Sequence, residues 1–285
     1  MANRIINPAP PNLPLGPDNY ERRYQDQHSN VLRLYFNQLK NALGEVFGDR
    51  GGRFIDFPYG AFHQDGVTTL TSSMTNVSTS AIQVASTAGF PSSGYLLIGT
   101  ELIRYTTKTA TTFDGTITRQ VLGSTHAAHS IGDYVTEVQG TGSSTTIGTI
   151  LFTATDYSNG VYASSDLSKI YFDISGVYNL QFSVQILNYT SAEDNVTVWF
   201  RKNGQDIATS ASVAEVSPKH STSPGATIMT VNLFVDVAAG DDVSLAWASE
   251  TGDGVIGTAS PKTSPVQPAS PAVIFTVQFV SALPT

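Results

Sequence analysis

The feature that most constrains this chain is a two-residue alternation that recurs through its C-terminal half. In GVYNLQFSVQIL the residues Tyr178, Leu180, Phe182, Val184 and Ile186 alternate with Asn179, Gln181, Ser183 and Gln185. Val196, Val198 and Phe200 alternate with Thr197, Trp199 and Arg201, and Met229, Val231, Leu233, Val235 and Val237 repeat the pattern. The last such segment sets Val273, Phe275, Val277 and Phe279 on one side. Period two sends successive side chains to opposite faces of a strand, so each segment predicts a strand with one apolar face. Turn signals separate them. Asn203-Gly204 supplies the positive φ angles of a tight hairpin, and Ala239-Gly240-Asp241 turns the chain into Val243, Leu245 and Trp247. With GTILFTATDY as a first strand, six or more strands of this kind predict a β-sandwich.

Composition narrows the chemistry. Of 285 residues only 13% are charged and none is cysteine, so disulfides and thiolate chemistry are excluded. No apolar run is long enough for a membrane-spanning helix, and the start MANRIINPAPPNLPLG lacks the apolar stretch of a signal peptide. The net charge of −8 is uneven. Residues 1–60 hold seven Lys/Arg against six Asp/Glu, and the remainder holds eight against seventeen. An acidic body has no basic face with which to replace phosphate counterions, so nucleic acid is not an expected partner.

Three regions are expected: 1–60, 61–139 and 140–285. The first opens with NPAPPNLPLGP, five prolines in eleven residues, which predicts an extended segment suited to lying along another surface. A helix is expected next, with Pro17, Asp18 as N-cap and Glu21 in capping-box position. Leu32, Phe36, Leu39, Leu43 and Val46 recur at spacings of four and three, a seam of about two heptads, and Gly48 and Gly51-Gly52 are expected to end it. The seam fits packing on its own domain or a short bundle between identical chains. Two heptads alone hold chains together weakly, so a second source of cohesion is then required.

Residues 61–139 read as a small β unit. AIQVAS is a short strand, YLLIGTELIRYTT a hairpin around Gly99-Thr100, TFDGTITR a turn at Asp114-Gly115, and DYVTEV a last strand. The pattern G-x-L-x-I-G-x-E-x-I-x-Y, then an Arg, then A-x-H-x-x-G-x-x-V resembles a small β module of tailed-bacteriophage structural proteins, found in fibres and baseplate parts. His126 and His129 in HAAH have the spacing of two metal ligands on a helix. The flanks are turn-rich, however, and the nearest carboxylate in sequence is Asp133, so hydrogen-bonded turn histidines are expected and no metal.

The third region resembles the jelly roll of the C1q and tumour-necrosis-factor superfamily. The matching pieces are the opening Gly176-Val177-Tyr178, the Arg201-Lys202-Asn203-Gly204 turn, and Ala239-Gly240-Asp241 before an apolar strand. That resemblance implies a trimer whose final strand packs about the threefold axis, with Trp199, Phe275, Val277 and Phe279 as interface candidates. Two stretches depart from it. EVSPKHSTSPGA and GTASPKTSPVQPASPA are rich in proline and serine and cannot be central strands; they read as long loops, placed for recognition or loosely ordered.

Catalysis is not expected. No G-x-S-x-G, H-E-x-x-H, P-loop or dinucleotide fingerprint occurs. Asp241-Asp242 lies in a turn, and Glu193-Asp194 precedes a hairpin with side chains pointing to different sides. The expected protein is mainly β and non-enzymatic, without cofactor, metal or membrane insertion. It is a homotrimeric fibre on the exterior of a tailed-phage virion, with an N-terminal anchor on other virion proteins near tail or neck and a distal jelly-roll head. The alternatives are a capsid decoration protein on the same trimer, or a module that binds a host receptor or glycan during adsorption.

Overall fold

The computed structural model describes residues 11–13, 19–47, 57–64, 66–141, 143–221 and 223–283. It falls into two compact units, residues 1–57 and 58–285. In the first, helix α1 spans Arg22–Phe47. The Gln25 N–H donates to the Glu21 carbonyl at 3.2 Å, and the Arg33 guanidinium reaches Asn30 Oδ1 at 2.8 Å, three residues back on the same face. Pro17, Asp18, Gly48, Gly51 and Gly52 lie outside the described residues, so the expected cap and stop signals are not seen.

The second unit is a mainly β jelly-roll sandwich. Its strands begin with β1 (Tyr59–Gln64), β2 (Val67–Thr69), β3 (Ile82–Gln83), β4 (Gly94–Ile98), β5 (Glu101–Tyr105), β6 (Thr107–Lys108), β7 (Thr112–Asp114) and β8 (Tyr134–Gly140). They continue through β9 (Gly148–Thr149), β10 (Ala154–Asn159), β11 (Val161–Ala163), β12 (Ile170–Phe172), β13 (Gly176–Asn188), β14 (Asp194–Lys202), β15 (Gln205–Asp206) and β16 (Ser212–Val216). Then come β17 (Gly225–Val237), β18 (Asp242–Ser249), β19 (Gly254–Gly257), β20 (Lys262–Thr263), β21 (Val266–Gln267) and β22 (Val273–Ser281).

One layer of the sandwich orders its strands β10-β1-β22-β13-β17, all antiparallel. The other orders β11-β12-β18-β14, with β16 and β15 pairing β14 and β9 pairing β18. Between them lies an aromatic and aliphatic core that includes Phe62, Phe152, Phe182, Phe200, Trp247 and Phe275. Each such side chain contributes about 1.5–3 kcal/mol on full burial, which is what a chain without disulfides depends on. Gly176 opens β13 where a Cβ would collide with the Phe279 ring and the Ser281 carbonyl, so that strand opening needs glycine.

Two expectations change here. The stretch GTILFTATDY is not one strand: β9 lies on one sheet and β10 on the other, so the chain crosses the sandwich between them. And β1, which straddles the expected boundary at residue 60 between the N-terminal region and the small β module, is a central strand of the sandwich, flanked by β10 and β22. Residues 66–140 therefore enter as an insertion after the first strand. Where β22 stops pairing with β13 at Val184, β19 takes over at Ile186–Asn188 and carries the sheet on to β8, β4 and β5. A second core of Leu70, Ile82, Phe90, Ile103, Tyr105, Phe113 and others fills the insertion.

Candidate functional site

The register of the five-stranded layer defines its outward face. Tyr157, Ala61, Thr276, Gln181 and Asn232 stand side by side across β10, β1, β22, β13 and β17. Beside them run His63, Ile274, Ser183 and Thr230 in one row, and Tyr59, Gln278, Asn179 and Phe234 in another. Tyr157, Phe234 and Ile228 are 68%, 63% and 67% exposed. The alternating outward positions of β1, β13, β17 and β22 carry no Lys or Arg, and their ionisable side chains that are not tyrosines are limited to Asp236 and to His63, whose Nδ1 lies 3.2 Å from Asp156. Asn179 Oδ1 is shielded from solvent and has no hydrogen-bond donor among the described residues. Amides, hydroxyls and aromatic rings without like-charge repulsion make a surface able to pack against protein.

The residues proposed from sequence for the threefold contact lie elsewhere. Phe275 and Val277 are 1% and 2% exposed and face inward, Phe275 stacking on Phe152 at 5.3 Å between centroids. Phe279 is half-buried, edge-on to Tyr178 at 5.4 Å. These side chains belong to the core of one copy; the outward side chains of β22 are Ile274, Thr276, Gln278 and Val280. Trp199 is on the opposite sheet. Its indole N–H donates to Asp206 Oδ1 at 2.7 Å, and the same oxygen accepts from Arg201 Nε at 2.6 Å, with the guanidinium 5.7 Å from the indole centroid. Both bonds, Arg201's first, hold the Asp206 carboxyl below the usual carboxylate range.

The turn that these residues brace is the expected one, with φ of 50° at Asn203 and 76° at Gly204. Sequence alone did not show its partner. The Asn203 side-chain amide donates to Asp241 Oδ1 at 2.8 Å and accepts from the Asp242 N–H at 2.9 Å, tying the hairpin to the turn at Gly240. On α1, Phe36 and Leu43 are 59% and 46% exposed while Leu32 and Leu39 are half-buried; the Val46 side chain lies outside the described residues. The seam of α1 is thus an apolar stripe largely open within its own unit.

In the insertion, the polar residues of the motif converge. Glu101 is buried and accepts from Arg119 through both carboxylate oxygens, from the Ala127 N–H at 3.1 Å and from His129 Nε2 at 2.8 Å. Arg119 also donates to the carbonyls of Thr75, Ser78 and Ala127. Burial pushes the Glu101 carboxyl up, but Arg119, His129 and the Ala127 N–H together outweigh it and hold the group below its ordinary range. The carboxylate that meets the histidines is Glu101, not Asp133, which instead accepts from the Ser130 N–H at 2.8 Å. His126 lies 4.0 Å from Glu101 and engages the Asn76 carbonyl at 2.9 Å. Among the described residues no group of three or more His, Cys, Asp or Glu is arranged to hold a metal ion.

Asp194 is buried under the β18–β19 connection, accepting from Ser249 Oγ at 2.5 Å and from the N–H groups of Thr251 and Gly254 at 3.0 and 2.7 Å, a loop-holding role. Of the two proline- and serine-rich stretches, the later one forms the hairpin β20–β21 closed by paired 3.0 Å bonds between Ala259 and Ser270, with Val266 88% exposed. The earlier one runs into β17, and its Lys219 N–H is tied to the Thr190 carbonyl at 2.8 Å.

No family model matches the chain, and no curated protein matches it. Among solved structures, the chain is similar to the tumour-necrosis-factor protein Eiger from S. frugiperda, with 10% sequence identity and a TM-score of 0.30. The match covers 46% of this chain and 74% of that one.

Proposed function

We propose that this protein is a non-enzymatic structural component of a tailed-phage particle. It acts as a homotrimeric fibre whose jelly rolls associate through the outward face of β10-β1-β22-β13-β17. The observation that carries this reading is that face: broad, free of Lys and Arg at its alternating outward positions, and bearing exposed Phe234, Ile228 and Tyr157. Three α1 helices joined along Leu32, Phe36, Leu39 and Leu43 add a second contact, weak alone and effective once the heads are associated. The proline-rich N-terminus then serves as an anchor on other virion proteins near tail or neck.

The phage assignment rests on the motif of the insertion, whose Glu101, Arg119 and His129 form one buried hub. The same trimer could serve as a capsid decoration protein, and copy number separates the two. Light scattering on the full chain is the first test: roughly 91 kDa, three times the 30.3 kDa of one copy, is expected. Asn232→Arg should return monomers with an unchanged circular dichroism spectrum. A monomeric wild type overturns the reading. Quantitative proteomics of purified particles then distinguishes a few trimers at one vertex from many over the capsid.

A further inference from the structure

A second surface lies on the other sheet, at its β11–β12 edge. Tyr162 and Tyr171 are cross-strand partners whose rings stack at 5.6 Å between centroids and 22° between planes, with Tyr162 48% exposed. They border an open groove shared with Ser164, Ser165, Asp166 and Lys169. A cross-strand pair of rings on an edge hairpin can be simply stabilising. The connection between the two strands goes further than that role requires. Asp166 Oδ1 accepts from Ser164 Oγ at 2.5 Å, from the Ser168 N–H at 3.2 Å and from Ser168 Oγ at 2.9 Å, which fixes the carboxylate. Leu167 is held at a φ of 64°, a left-handed backbone unusual for leucine, with its N–H on the Ser164 carbonyl and its own carbonyl taking the Phe152 N–H. Lys169 is anchored to Asp242 Oδ1 at 3.1 Å, which leaves two ammonium protons for other acceptors.

The result is an aromatic ledge beside a fixed carboxylate, whose Oδ2 has no partner among the described residues, and a fixed ammonium. We propose that this groove is a saccharide-binding site that takes pyranosides with equatorial hydroxyls. The chemistry selects that class. A ring whose hydroxyls are all equatorial presents only axial C–H groups on its faces, which suits stacking on the electron-rich face of Tyr162 that is turned away from Tyr171. Its vicinal hydroxyls then point outward in the ring plane, where Asp166 accepts from them and Lys169 and Ser165 donate to them. A few convergent polar groups beside an apolar wall are what orient a small ligand.

This inference does not rest on the trimer or on the phage assignment, because the groove is on the opposite layer from the proposed contact face. The test is titration of the full chain with methyl β-D-glucopyranoside and with cellobiose, read by calorimetry and by the tyrosine ring resonances. Saturable binding is expected, weakened about tenfold by Tyr162→Ala and by Asp166→Asn and retained in Tyr162→Phe, which keeps the ring. Melting temperatures of the variants check that the fold persists. No saturable response to either sugar, or binding that survives Tyr162→Ala in a folded protein, overturns the proposal.

Discussion

Phe62, in the first strand, and Phe275, in the last, are register partners whose rings lie 6.5 Å apart between centroids in the middle of the sandwich. The whole insertion leaves and returns between them. The layer therefore closes by pairing its first strand with its last, a long-range contact that no local pattern encodes.

Truncating either ring opens a cavity lined by Phe152, Phe200 and their neighbours. Phe62→Ala should cost about 3–5 kcal/mol of unfolding free energy, measured by urea denaturation. A loss under about 1 kcal/mol would mean that β1 is not part of this core.

Neighbouring positions on β22 should behave in opposite ways. Phe275→Arg buries an unpaired cation and should abolish folding, while Thr276→Arg, one residue on and facing out, should leave the fold intact and split the assembly. Circular dichroism and solution mass, taken together, separate the outcomes.

The hub at Glu101 should make the insertion sensitive to loss of its cation. Arg119→Met leaves a buried carboxylate whose remaining hydrogen bonds come from His129 and one N–H, and should destabilise by about 3–5 kcal/mol. Glu101→Gln/Arg119→Met together should cost less than the sum of the single changes, and a double-mutant cycle measures that coupling.

Acid should act through the same carboxyl. Its folded pKa is lowered, so its contribution is complete above the unfolded value of about 4.3 and is lost as pH falls through the folded value. Stability followed as pH falls from about 6 to below the unfolded value should decline less steeply in Glu101→Gln than in the wild type. Equal slopes would remove Glu101 from the account of acid unfolding.

Asn203 should link two turns. The Asp241 carboxyl is held low first by the Asn203 amide, then by the Ala238 N–H. Asn203→Ala should raise the Asp241 pKa, followed by carboxyl carbon shifts in NMR, and should destabilise by about 1–2 kcal/mol through the lost bonds and the strained φ.

Much of the molecule was legible in its residues. Alternation located β13, β14, β17, β18 and β22, because a period of two is a local property of any half-buried strand. Asn203-Gly204 and Gly240 marked their turns because few residues tolerate positive φ. The mainly β class and a β-sandwich were therefore readable from the chain, and the jelly roll was what the resemblance implied. Alternation also grouped Phe275, Val277 and Phe279 on one face of β22. It could not say that this face points into the core rather than toward another copy, because inward and outward exist only once the second sheet is in place.

The same limit hid β1. Tyr59–Gln64 is short and its partners β10 and β22 are remote, so nothing nearby distinguishes it from the insertion that follows. The histidine motif shows the limit from the other side. The spacing of His126 and His129 suggested a pair, but Glu101 and Arg119, brought in from β5 and from beyond β7, determine what His129 does. Local periodicity and turn chemistry belong to the sequence. Which faces meet, and which charges find one another, was decided by tertiary pairing, since those contacts join residues that the chain holds far apart.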